Sequence, residues 1–182
     1  MDRARMGSRK VLIIGYGSPI RGDDAIGPLV ADRLQADGVP AGVAVISRHI
    51  LTAELVADLV EHDRVVFLDA AVEGTPGEVR CRSLAPDASA MSTMAHFLDP
   101  RELLAWCETL YGKVPETFLV TACGSSFDYS NYVLTPTAEA AVQPMLEWVR
   151  RLIDPNGCAS RLSKPTDEAA THGETGSPTM II

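Results

Sequence analysis

The chain has 182 residues, 46% hydrophobic and 22% charged, which suits one domain with a sizeable core. A formal net charge of −8 argues against a general nucleic-acid binder, which needs clustered Lys and Arg. No apolar run approaches the roughly 20 residues that span a bilayer. The basic start, Met1 to Lys10, is followed by only a short apolar stretch, Val11 to Ile14, so no signal segment is expected. A monomer in the cytoplasm, with no membrane or nucleic-acid partner, is the expectation.

Val11 to Ile14 is fully apolar and rich in β-branched residues, the pattern of a strand buried on both faces. A helix begins between Asp24 and Pro28, with Ile26, Leu29, Val30 and Leu34 at helical spacing, and ends at Gly38. Val43 to Ser47 forms the second strand. Thr52 is expected to cap the next helix, whose buried stripe is Leu55, Val56, Leu59 and Val60. Arg64 to Leu68 is the third strand. Gly74 and Pro76-Gly77 mark a turn, and Glu78 to Leu84 then alternates as a fourth strand. The connection is too short for a crossover helix, so this strand should run antiparallel to the third.

Asp99-Pro100-Arg101-Glu102 places an acceptor at N-cap, Pro at N1 and Glu at N3. Leu103, Leu104, Cys107, Leu110 and Tyr111 are expected to face inward, and Gly112 to close the helix. Thr117 to Ala122 is the fifth strand. Thr135-Pro136 opens the last helix, which runs to about Ile153, with Pro144 expected to bend it. Residues 1–10 read as a short basic extension, and 154–182 as a disordered tail of Gly, Pro, Ser, Thr and charges. The order βαβαββαβα gives an α/β fold: a three-layer αβα sandwich around a mixed, mostly parallel five-stranded sheet. The four cysteines are widely spaced and read as reduced thiols.

Three side chains stand out because an open α/β sheet binds ligands where its parallel strands end. Asp24 follows the first strand in a glycine-rich loop, Asp69 follows the third, and His96 precedes the Asp99 helix start. Two carboxylates and an imidazole suit a borderline divalent metal. Simpler roles compete. Asp24 or Asp23 would serve as a helix cap, leaving the other free. Asp69 could bind loop amides, and His96 could be an ordinary loop residue. His49 rivals His96, because it also follows a strand. The Gly15-x-Gly17 loop invites a dinucleotide, but Ile20 stands where a third glycine is needed, and no acidic residue ends the second strand. Arg48 keeps only an NADP variant open. No nucleophile elbow, zinc-protease helix or phosphate loop is present.

Four motifs together resemble the hydrogenase maturation endopeptidases. They are Val11 to Gly17 with Gly22-Asp23-Asp24-Ala25-Ile26-Gly27, then Phe67-Leu68-Asp69-Ala70, His96-Phe97-Leu98-Asp99-Pro100, and Leu134 to Glu139. The resemblance spans Val11 to about Ile153 and implies a catalytic domain over residues 11–153. It implies that Asp24, Asp69 and His96 bind metal and carry catalysis. It implies an aspartyl-type endopeptidase that trims a short C-terminal extension from the precursor of a nickel-iron hydrogenase large subunit. The nickel would come with the precursor and would not be held permanently. Water would be activated either by that metal or by one of the two carboxylates. A non-catalytic assembly factor or nickel chaperone on the same fold is the alternative. Ser18 stands where the family carries Asn. Arg48-His49-Ile50-Leu51-Thr52 replaces the glycine-rich turn of its better-known members, which makes His49 a candidate substrate contact.

Overall fold

The strands lie in one sheet in the order β2-β1-β3-β5-β4. The computed structural model describes residues 9–89, 98–129 and 133–154. In chain order the elements are β1 (Val11–Tyr16), a 3-10 turn (Gly22–Ala25), α1 (Ile26–Asp37), β2 (Val43–Arg48), α2 (Leu55–Val60), β3 (Arg64–Ala71), β4 (Val79–Leu84), α3 (Pro100–Tyr111), β5 (Glu116–Cys123) and α4 (Pro136–Ile153). β1 is parallel to β2 and β3, and β3 to β5; only β4 is antiparallel, against β5. The expected three-layer α/β sandwich is therefore what forms.

Strand alternation sorts the core into two halves. Ile13, Val66, Leu68, Phe118 and Val120 pack under α1 and α4. Leu12, Ile14, Val65, Phe67 and Leu119 pack under α2 and α3. β1 and β3 are thus apolar on both faces, as covered parallel strands must be.

The direction expected of β4 holds, although β4 does not pair with β3. It runs antiparallel to β3, and β5 lies between them. Composition explains the arrangement. Phe118, Leu119 and Val120 are buried and need a strand on each side, whereas β4 exposes Arg80 and Arg82 and tolerates the edge.

Helix ends follow local chemistry in α3 and α4. The Asp99 side chain accepts from the Arg101 amide at 2.7 Å with Pro100 at N1, and Gly112 ends α3 in the left-handed region. Thr135 caps α4 through the Ala138 amide. At α2, by contrast, the Thr52 cap does not form: the helix starts at Leu55 with no side-chain cap. The inward reading of α3 holds for Leu103, Leu104 and Cys107, but Leu110 and Tyr111 are 68% and 55% exposed. Among the described residues α3 is covered on one side only, so its last turn leaves the core face. No helix among the described residues is long and apolar enough to cross a membrane. Cys81 is partly buried, Cys107 and Cys123 are buried, and all three are free thiols. The expectations for residues 1–8, for Cys158 and for the tail from 155 onward lie outside the described residues.

One close approach sets the geometry of the functional edge. A Cβ on Gly15 would stand 2.2 Å from the Gly27 carbonyl oxygen. A Cβ on Gly27 would stand 2.4 Å from the Leu68 oxygen and 2.5 Å from that of Tyr16. Both obstacles are backbone, so neither can yield cheaply. Gly27→Ala is expected to destabilise the fold by about 3 kcal/mol, the upper part of the range for overpacking. Urea denaturation checks this, and an unchanged midpoint would refute the tight contact.

Candidate active site

The same alternation that builds the core delivers polar groups to one end of it. Following Leu12 and Ile14, Tyr16 lies on the α2/α3 face of β1. Following Val65 and Phe67, Asp69 lies on that face of β3. Asp69 is paired across the ladder with Thr121 of β5. The start of α3 brings Asp99 and Arg101 over them, and Arg82 of the edge strand β4 completes the wall. The result is a cavity of about 180 Å³ at the carboxyl edge of the sheet, where parallel α/β folds place their ligands.

Asp69 lies inside β3 and not after it, because the strand continues to Ala71. Its carboxylate accepts from the Ala70 amide at 2.8 Å and from the Tyr16 hydroxyl. Burial is the largest influence on it and pushes its pKa up to about 7. The Tyr16 and Ala70 bonds oppose that rise, while Asp24 and Asp99 add to it by repulsion. Burial, then Asp69, likewise raises the Tyr16 phenol well above its usual range. Asp69 forms no ion pair among the described residues. It is a poorly compensated anion whose demand for a positive charge an incoming cation would meet.

Asp24 reaches the same edge by way of the glycine loop. Gly17 crosses so closely over it that a Cβ there would stand 2.0 Å from the Asp24 carbonyl oxygen. The Asp24 carboxylate accepts from the Ser18 amide at 2.9 Å, and the Arg21 guanidinium stands 3.9 Å away. Arg21 also lies over the Tyr129 ring at 5.1 Å. The loop thus turns its Ser18 amide on a protein carboxylate, which leaves that amide unavailable to a dinucleotide phosphate. Arg48 donates to the adjacent Ser47 carbonyl and is exposed.

Neither aspartate caps a helix, contrary to expectation. The 3-10 turn is preceded by Arg21 and α1 by Ala25, with no side-chain cap at either. Asp23 instead ties distant loops together. It is fully buried and accepts from the amides of Ser125 at 2.7 Å, Ser126 at 3.2 Å and Thr135 at 2.7 Å. The hydroxyls of Thr135 and Ser125 add bonds at 2.9 and 3.3 Å. Burial alone would raise its pKa, but these donors outweigh that and hold it below the usual carboxylate value.

The sequence-predicted set is therefore brought together in part. Asp24 and Asp69 share one edge and repel each other. His96 lies outside the described residues, and no group of three His, Cys, Asp or Glu among the described residues is placed to hold a metal. His49 is exposed beyond the end of β2. Tyr16, Thr121 and Arg82 were not singled out from the sequence. Strand parity was the signal available: Tyr16 follows Leu12 and Ile14 at a spacing of two.

No protein-family model matches the chain. The hydrogenase 2 maturation protease of Escherichia coli is 23% identical over 155 residues, which cover 81% of this chain and 93% of that protein. Among solved structures, the hydrogenase maturating endopeptidase HybD from E. coli superposes with a TM-score of 0.66 at 25% identity, covering 77% of this chain and 89% of its own. A hydrogenase 2 maturation peptidase from a Thaumarchaeota archaeon gives a TM-score of 0.60 at 28% identity, covering 80% and 99%. These relatives match nearly full length and share the mixed sheet with its flanking helices. By sequence and by fold, the chain is similar to the hydrogenase maturation endopeptidases, which are proteases.

Proposed function

We propose that the chain removes a short C-terminal extension from the precursor of a nickel-iron hydrogenase large subunit, recognising nickel that the precursor already carries. The observation that supports this most is the pair Asp24 and Asp69 at one sheet edge, with Asp69 poorly compensated. Two carboxylates that repel each other at one edge, with only the Arg21 guanidinium 3.9 Å from Asp24 among the described residues, suit a divalent ion brought by a partner. The proposed ligands on the enzyme's side are Asp24, Asp69 and His96, taking open positions on the substrate's metal and so locating the scissile bond. Hydrolysis also needs a water stripped of a proton. Either the substrate's metal activates that water, or one of the two carboxylates, Asp24 or Asp69, takes its proton while the metal only anchors the substrate. This reading keeps nickel on the substrate and places the enzyme in the cytoplasm, where its free thiols stay reduced.

Mass spectrometry of the precursor's C-terminus, with and without nickel, tests the reading. Wild-type protein is expected to shorten the nickel-loaded precursor and to leave the nickel-free form intact. Asp69→Ala is expected to reduce processing at least 100-fold, the scale of losing a general base. Full processing by that variant would refute the site. Binding of the precursor without any cleavage would favour a non-catalytic assembly factor.

A further inference from the structure

The cavity beside Asp69 presents two donors that have no acceptor among the described residues. Most polar side chains on its wall are engaged. Tyr16 donates to Asp69, Asp69 accepts from Ala70, and Arg101 binds Asp99 at 3.2 Å and Asp87 at 3.4 Å. Among the described residues, the Arg82 guanidinium and the Thr121 hydroxyl make no side-chain hydrogen bond or ion pair. The contrast within β4 is sharp, because Arg80 is clamped by both oxygens of Glu78 at 2.9 and 2.8 Å.

Position adds to this. Thr121 stands beside Asp69 in the ladder, and Arg82 is paired with Leu119, another wall residue. The positive charge of Arg82 lowers the proton affinity of the Tyr16 phenol, which places the guanidinium within electrostatic reach of the Tyr16–Asp69 pair. A free guanidinium fork beside a free hydroxyl is matched by a carboxylate, which accepts from both. The volume of about 180 Å³ is below that of a typical small-molecule pocket and takes one side-chain-sized group. A chain of net charge −8 repels acidic segments in general, so an acidic substrate tail needs a local cation to seat it.

We propose that Arg82 and Thr121 form a subsite for a carboxylate of the precursor's C-terminal extension, seating that segment beside Asp69. The inference rests on the endopeptidase reading above. The carboxylate belongs either to an acidic side chain or to the chain terminus. Arg82 is thus a binding residue that sets where the extension lies, and Thr121 orients the bound group.

Steady-state processing of nickel-loaded precursor by the full-length protein tests it. Arg82→Ala is expected to raise KM about tenfold and to change kcat less, with Arg82→Lys recovering part of the loss. Thr121→Val should raise KM less than Arg82→Ala. Two altered precursors identify the carboxylate: one with the acidic side chains of the extension converted to amides, the other with glycines appended to displace the terminus. One of the two should raise KM for the wild type by a similar factor and have no further effect on Arg82→Ala. If Arg82→Ala matches wild type in KM, or if neither precursor couples to it, the subsite is overturned while the protease reading stands. If the wild type itself fails to process the precursor, the protease reading falls and takes the subsite with it.

Discussion

Asp23→Ala is expected to lower the melting temperature by about 10 °C, whereas the neighbouring Asp24→Ala leaves the protein folded and inactive. The difference follows from what each carboxylate touches. Asp23 is fully buried and is the acceptor for the amides of Ser125, Ser126 and Thr135. Deleting it strands three backbone donors in a buried site, at about 1–3 kcal/mol for each that finds no new partner. A total on the order of 4 kcal/mol corresponds to roughly 10 °C for a domain of this size. Asp24 accepts from one amide, that of Ser18, and its loss costs about 1 kcal/mol. Processing of the precursor should nonetheless vanish in Asp24→Ala, because a proposed metal-facing carboxylate is gone. Thermal melts and precursor mass measured on both variants decide the matter. Equal melting temperatures would show that Asp23 is not the tie between loops described above.

Asp69→Asn is expected to stabilise the protein above neutral pH while abolishing its activity. The pKa of Asp69 rises from the ordinary 3.8 to about 7, with burial as the main cause. The sign follows from proton binding. Below pH 3.8 the group is protonated in both folded and unfolded chains, so it costs nothing. Between about 4 and 7 the folded protein holds a proton that the unfolded chain has released, so stability falls as pH rises. Above about 7 the full cost of the buried anion is present. At about 1.4 kcal/mol per pKa unit, and with partial solvent access moderating it, the cost is on the order of 2–4 kcal/mol. Asn cannot ionise, yet its carbonyl oxygen still accepts from the Ala70 amide. The expected gain is therefore about 5–10 °C in melting temperature at pH 8, shrinking to nothing near pH 4. Melts of both proteins across that range check this. A variant no more stable than wild type at pH 8 would show that Asp69 is already compensated. Stability surrendered at a functional carboxylate is the pattern expected of an active site.

Features governed by neighbours in the chain were legible from sequence. The Asp99-Pro100 helix start and the Gly112 stop depend on a few adjacent residues, and both hold. The apolar runs of β1 and β3 identify strands covered on both faces, and from them follows the edge that Asp24 and Asp69 share. What was not legible depends on distant partners. Asp23 looked like a cap because caps are local; its actual donor Ser125 lies 102 positions away. The place of β4 could not be read from a short connection, which fixes direction but not the neighbouring strand. Leu110 and Tyr111 kept the helical spacing of the buried face, but among the described residues no second element covers the last turn of α3. Arg82 and Thr121 carry no motif, and only the cavity draws them into view.

The position of β4 at the sheet margin also constrains how the protein comes into being. It precedes β5 in the chain, yet β5 is the strand it bonds to. During synthesis, therefore, β4 waits as an unzipped ribbon until α3 and then Glu116–Cys123 have emerged, and the wall carrying Arg82 is assembled late. A nascent chain halted before Glu116 would hold the β1–β3 half of the sheet with β3 open on one flank, a sticky intermediate of the sort that folding helpers shield.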